Sequence, residues 1–261
     1  MKLRLGIFDS GIGGFSVLTS LIKTRSDVEV VYLADIARNP YGEKNREEIR
    51  QIAIQISNWF KEKDLDALLV ACNTTNAYAL DLLQNNLNVP CFDLINSVTN
   101  VIKVKTIGIL ATSATIKSSY YEKAIKKRVE NITVFQQSCP EFVFEIEKIP
   151  INTDRISYLA DIYLKPLLDK NVKEIILGCS HYPLIYEILR KNSPPGINFI
   201  DPSIALIQNL NTHFWPAKIY VENKKYDNVE FFATGKIDEF SIKVKNWLEI
   251  NKKISLVSLR T

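Results

Sequence analysis

Histidine is scarce in this chain, with two in 261 residues, and the four cysteines form no CxxC pair. Metal sites and redox dithiols need ligands or thiols clustered at short spacing, so no metal is expected. Long apolar runs are missing as well. The longest are strand-sized, well short of the ~20 residues that cross a bilayer. The charge-punctuated start Met1-Lys2-Leu3-Arg4-Leu5 is unlike a secretory signal. These absences predict a cytoplasmic protein without a membrane partner, its cysteines kept as thiols. No dense basic stripe with interleaved aromatics occurs: the formal charge of +4 comes from scattered lysines, and nucleic acid is not expected as the primary partner. A P-loop lysine and the dinucleotide glycine spacing are both lacking. With 46% hydrophobic and 24% charged residues, the composition is that of an ordinary globular protein able to bury a sizeable core.

Against this background one stretch stands out. In Leu65-Asp66-Ala67-Leu68-Leu69-Val70-Ala71-Cys72-Asn73-Thr74-Thr75-Asn76 an apolar run ends in a cysteine followed by small polar residues. A short, continuous apolar run suits a buried strand of a parallel sheet, and ligands of open α/β sheets sit beyond the carboxyl ends of such strands. The arrangement recurs in Glu174-Ile175-Ile176-Leu177-Gly178-Cys179-Ser180-His181-Tyr182.

Along the chain, a strand over 3–8 runs into Asp9-Ser10-Gly11-Ile12-Gly13-Gly14 and then a helix marked by Phe15, Leu18, Leu21 and Ile22. Such a turn aims backbone N–H groups at an anion, and a carboxylate is expected there. A strand over 29–34 leads into a Pro/Gly loop with Asn39-Pro40-Tyr41-Gly42. Asn45 and Glu48 form a capping-box pattern ahead of a helix with Ile49, Ile52, Ile56 and Phe60 on one face. Helix 77–85 and strand 89–94 follow. A second round begins with strand 105–110 and continues with helix 118–128, strand 132–138, and an unassigned segment Phe142–Glu147. A long helix capped at Thr153 or Asp154 precedes the strand ending at Cys179. The remainder alternates helix 183–192, strand 197–200, helix 203–213, strand 229–233 and a C-terminal helix through Phe240, Val244 and Trp247. Alternation throughout predicts an α/β fold with mainly parallel sheets. Gly6-Ile7-Phe8-Asp9-Ser10 is similar to Gly108-Ile109-Leu110-Ala111-Thr112, each followed at comparable distance by one of the two cysteines. Two related, pseudo-symmetric lobes are therefore expected, with Cys72 and Cys179 on opposite walls of the cleft between them.

Two facing thiols suit one reaction in particular. Inverting an amino-acid α-carbon by proton transfer requires a base on each face, and a thiol with a pKa of roughly 8.5, lowered near helix N-termini or cations, can act as either acid or base. No cofactor is implied. Cys91 and Cys139 lack the motif and are expected to be packing residues, and His213, beside Phe214 and Trp215, a structural one. His181, two residues beyond a candidate thiol, is expected to be functional.

Taken together, Phe8-Asp9-Ser10-Gly11-Ile12-Gly13-Gly14, Asn39-Pro40-Tyr41-Gly42, Ala71-Cys72-Asn73-Thr74 and Gly178-Cys179-Ser180-His181-Tyr182-Pro183 make the whole chain resemble the cofactor-independent glutamate racemases of bacterial cell-wall synthesis, within the aspartate/glutamate racemase superfamily. The resemblance implies interconversion of L- and D-glutamate for peptidoglycan, with Cys72 and Cys179 as the two bases and Asp9, His181 and Glu147 assisting them. It also implies substrate contacts from Asp9, Ser10, Pro40, Tyr41, Gly42, Cys72, Asn73, Thr74, Ser180 and His181. A first lobe over 1–95 plus 208–261 and a second over 96–207 follow from it, and it leaves room for a homodimer. The family commonly has Ala-Ser where this chain has Thr75-Asn76, and threonine at Ser180. An aspartate or other amino-acid racemase, or a non-catalytic two-lobed amino-acid-binding protein, are the alternatives.

Overall fold

The computed structural model describes residues 2–25, 27–215 and 226–259. The chain opens with β1 (Arg4–Asp9), α1 (Phe15–Thr24), β2 (Glu29–Ala34), α2 (Arg46–Lys61), β3 (Ala67–Val70), α3 (Asn73–Asn86), β4 (Cys91–Asp93) and α4 (Leu94–Thr99). A second set follows: β5 (Thr106–Ala111), α5 (Ser113–Ser118), α6 (Tyr120–Arg128), β6 (Thr133–Ser138), α7 (Pro140–Ile146), α8 (Thr153–Leu168), β7 (Glu174–Gly178), α9 (Tyr186–Lys191) and β8 (Asn198–Ile200). The chain then passes through α10 (Pro202–Phe214), β9 (Val229–Ala233), α11 (Ile237–Leu248) and β10 (Ile254–Leu256).

Two sheets result, ordered β10-β9-β2-β1-β3-β4 and β6-β5-β7-β8, and every pairing among the described strands is parallel. The order β2-β1-β3-β4 reappears as β6-β5-β7-β8, so the duplication seen in the residues is a duplication of topology. The protein is an α/β fold of two pseudo-symmetric lobes. In each sheet the connections diverge at the strand that comes first in sequence, β1 or β5, and the crevice at such a switch point is where ligands bind. β3 and β7 hold equivalent places beside those strands and deliver Cys72 and Cys179.

The inner strands β1, β2, β3 and β7 are buried on both faces, as parallel strands covered by helices must be. One apolar cluster runs through both lobes, joining Phe15, Ile12 and Phe240 of the first to Phe142, Tyr182 and Leu177 of the second. Asn45 caps α2 through the expected reciprocal contacts with Glu48.

Several elements differ from the expectation. The helix placed at 77–85 begins at Asn73, because Cys72 occupies its N-cap and Asn76 ties its first turn to the end of β3. The run taken as strand 89–94 yields after three residues to α4, capped by the Asp93 side chain. Helix 118–128 is broken at Ser119, which adopts a left-handed backbone with φ of 56°. The 142–147 segment is the helix α7, closing at Glu147. Asn152, rather than Thr153 or Asp154, caps α8, and 182–185 form a 3-10 turn before α9. β10 extends the first sheet beyond any predicted strand. Among the described residues no helix is long and apolar enough to cross a membrane.

Candidate active site

Parallel strands bring their carboxyl ends together, and here the ends of β1, β3, β5 and β7 meet between the lobes. The resulting cavity is lined by Cys72, Asn73, Thr74 and Ser10 from one side and by Cys179, Ser180, His181 and Thr112 from the other, with Tyr41 and Gly42 at the edge. It is narrow, with about 10 Å³ of room, roughly that of a single water.

Cys72 sits at the N-cap of α3, almost fully buried, and its thiol points to Ser10 Oγ at 3.9 Å. A helix N-terminus favours a thiolate. Burial outweighs it here: burial first, then the nearby Asp9 charge, push the thiol up to about 12, against the opposing contact from Thr75. Burial therefore keeps Cys72 a thiol at neutral pH in the closed cleft, despite its place at a helix N-terminus. Asp9, fully buried, has its carboxyl raised by burial, partly offset by His181 and by donors from Gly11 N at 2.8 Å and Ser180 Oγ at 2.9 Å.

Cys179 has a different setting. His181 Nδ1 lies 3.8 Å from its sulfur, and His181 Nε2 lies 2.7 Å from Glu147 Oε1. Burial disfavours a charged imidazole, but the contacts with Cys179 and Glu147 hold His181 well above its usual range. The cation supplies a positive neighbour to the Cys179 sulfur. Glu147 is held down at about 2: burial opposes this, and His181 and then Lys243 overcome it. The two thiols therefore differ in their surroundings: Cys72 faces Ser10 and the Asp9 carboxyl, and Cys179 faces the His181 ring.

The glycine-rich turn meets carboxylates, as expected, but they belong to the protein. Gly11 N donates to Asp9, and Ile12 N donates to Glu147 Oε1 at 3.2 Å. Gly13 shows why a side chain is excluded. A Cβ there would stand 2.3 Å from Ser180 Oγ and 2.5 Å from His181 Nδ1. Ser180, expected to offer its hydroxyl to substrate, donates it to Asp9 across the lobes.

Donors toward a ligand come from elsewhere. Asn73 is buried with its Oδ1 fixed by the Tyr121 hydroxyl at 2.7 Å, which leaves Nδ2 with no partner among the described residues. An unsatisfied buried amide is costly unless something accepts from it. Thr74 Oγ1 reaches Thr112 Oγ1 at 3.1 Å and Thr115 Oγ1 at 3.3 Å in the opposite lobe. Gly42 O accepts from Ala114 N at 2.8 Å. The loop carrying Tyr41 is held by buried Asp35, which accepts from Tyr41 Oη, from Arg38 Nε at 2.6 Å and from Thr234 Oγ1 at 2.6 Å.

Of the residues singled out from sequence, Ser10, Tyr41, Gly42, Cys72, Asn73, Thr74, Cys179, Ser180 and His181 line this cavity. Asp9 and Glu147 stand behind it, bonded to Ser180 and His181. Pro40 lines an adjoining cleft with Glu147 and Lys243 instead. Thr112 and Val143 line the cavity unforeseen, although Thr112 was visible as the counterpart of Ser10 in the repeat. Asp35 and Lys243 gave no local signal. Cys139 is buried and Cys91 partly so, both away from the cavity lining, and His213 packs on Phe92 and Phe214. No cluster of metal-ligating side chains occurs among the described residues.

The family model for Asp/Glu/Hydantoin racemase matches residues 16–210. A glutamate racemase of Prochlorococcus marinus (strain NATL2A) is 46% identical over 260 residues, covering 99% of this chain and 98% of the relative. The crystal structure of a Bacillus anthracis glutamate racemase superposes with a TM-score of 0.89 at 29% identity, covering 98% of both chains. That of the Francisella tularensis enzyme in complex with D-glutamate gives 0.88 at 32% identity, over 99% of this chain and 98% of the other. The chain belongs to the Asp/Glu/hydantoin racemase family, among its glutamate racemases.

Proposed function

We propose that this protein interconverts L- and D-glutamate by proton transfer between two thiols without a cofactor. The observation that carries the reading is the placement of Cys72 and Cys179 at equivalent strand ends of duplicated sheets, lining one cavity. With the α-carbon between the sulfurs, one thiolate takes the α-proton and becomes a thiol. The thiol on the opposite face gives its proton to the carbanion and becomes a thiolate, so charge and protons balance.

In the direction where Cys179 is the base, the His181 cation stabilises its thiolate and Cys72 arrives protonated. In reverse, Cys72 must lose its proton, and Asp9 is the neighbouring carboxylate. Asn73 Nδ2 is a donor for a substrate carboxylate, with Ser10, Thr74 and the Tyr41-Gly42 loop around it. A molecule with two carboxylates exceeds the room of one water, so the lobes must part for it to enter. We assign the first lobe to 1–95 plus 208–261 and the second to 96–207, with the return crossing inside α10. The same reading places the protein in the cytoplasm, supplying D-glutamate for peptidoglycan, with a homodimer as its assembly.

The test is proton NMR of D-glutamate in deuterated buffer without cofactor, with chiral analysis, for wild type, Cys72→Ser and Cys179→Ser. Loss of the α-proton signal with formation of L-glutamate, abolished in each variant, is the expected result. Persistence of the signal in a folded protein that binds glutamate would make it a binder, and faster exchange of aspartate would overturn the substrate.

A further inference from the structure

Lys243 lies on the inward face of α11 with Phe240, Val244 and Leu248, and is 9% exposed. An apolar residue would complete that face, and a lysine is rarely buried unless paired. Its Nζ reaches Glu147 Oε2 at 2.5 Å, while Glu147 Oε1 accepts from His181 Nε2 at 2.7 Å, Asn39 Nδ2 at 2.9 Å and Ile12 N at 3.2 Å. One carboxylate therefore serves two cations, one from each lobe. Lys148 and Lys236 line the same adjoining cleft but pair with Glu145 at 2.7 Å and Glu239 at 3.5 Å. The other titratable groups facing this cluster are Asp9 from β1, Tyr32 from β2 and the Cys179 thiol.

We propose that Lys243 is a positioning residue for the Cys179 half of the site: by sharing Glu147 with His181 across the lobes, it limits how firmly Glu147 holds the imidazolium proton. The inference rests on the proposed roles of Cys179 and His181. In a two-thiol reaction Cys179 must be a thiolate before turnover in one direction and a thiol in the other. An imidazolium held too firmly beside it would trap one of these forms, and a second cation on the same carboxylate relieves that hold. Like charges on one anion weaken each other's binding.

The test is histidine titration by NMR on the full-length, ¹⁵N-histidine-labelled protein. With only two histidines in the chain, a His181→Asn variant assigns the signals. Lys243→Met should raise the His181 midpoint by roughly one pH unit, Glu147 staying ionised through its remaining donors, and should cut kcat/KM for glutamate about tenfold at neutral pH. Lys243→Arg should restore both. In a Glu147→Gln background Lys243→Met should change kcat/KM less than about twofold, since the shared partner is gone. Should Lys243→Met not fold, Lys243→Gln, which keeps a donor without the charge, carries the same expected midpoint shift. A midpoint that stays or falls in the folded variant would overturn the proposal and make Lys243 a structural tie. Absence of α-proton exchange in wild type would instead sink the racemase reading, while the midpoint shift would still report on the coupling to His181.

Discussion

The Ser180 hydroxyl donates to Asp9 Oδ1 at 2.9 Å, so the loop bearing Cys179 is tethered to the buried carboxylate beside Cys72. Removing that donor leaves Asp9 with Gly11 N alone among the described residues. Ser180→Ala is expected to cost about 1–3 kcal/mol of stability, since a buried charged acceptor loses a partner. Turnover should fall at least about tenfold because both halves of the site lose their register. Urea denaturation and racemisation rates check the pair; unchanged values in both would remove the tether from the account.

Gly13 tests the tightness of the same contact. A methyl group there overlaps Ser180 Oγ and His181 Nδ1, neither of which is the far end of a long flexible chain. Gly13→Ala should displace the Cys179 loop and reduce kcat on the order of 100-fold, the scale of an ångström misplacement. A crystal structure of the variant with the loop unmoved would contradict this.

Glu147 and His181 give a signed pH dependence. Glu147 is depressed from 4.5 to about 2 in the folded protein, so its stabilisation is present above 4.5 and lost as pH falls toward 2. His181 is raised well above 6.5, so its stabilisation is complete below 6.5 and lost as pH rises through the folded value. The stability advantage of wild type over Glu147→Gln should be greatest between about pH 4.5 and 6.5 and shrink on both sides. Chemical denaturation of both proteins across pH measures it, and a pH-independent difference would contradict the pairing.

Asn76 explains one departure from the family pattern. Its Nδ2 donates to Val70 O and Cys72 O, both at 2.8 Å, and its Oδ1 accepts from Leu94 N at 2.7 Å. The side chain thereby joins the Cys72 turn to the start of α4. Asn76→Ala should destabilise the protein by about 1–3 kcal/mol through the unpaired Leu94 N–H and the bared Val70 carbonyl, while Cys72 O keeps the backbone N–H of residue 76 at 3.0 Å. A thermal or urea midpoint equal to wild type would show these bonds to be dispensable.

Both thiols were legible because each ends an apolar run in the same small polar pattern, and strand ends of parallel sheets are where ligands meet the chain. Thr112 was within reach through the repeat. Lys243 was not: its own helix shows an ordinary amphipathic face, and its partner Glu147 lies in the other lobe. The start of α3 was obscured because Asn73-Thr74-Thr75-Asn76 are poor helix formers, and burial with side-chain bonding overrides their propensity. Ser119 carries no compositional cue for its left-handed backbone. The raised Cys72 follows from how much of the chain closes over it, which no local pattern reports.

The central claim is that two different groups act on opposite faces of one carbon. Protonated D-glutamate incubated in deuterated buffer and stopped at low conversion tests it most directly, with isotope content read separately in each enantiomer by mass spectrometry. The two-thiol account predicts that L-glutamate carries deuterium at the α-carbon from the first turnover while the remaining D-glutamate keeps its proton. L-glutamate that retains the original proton, the mark of a single group serving both faces, would contradict it.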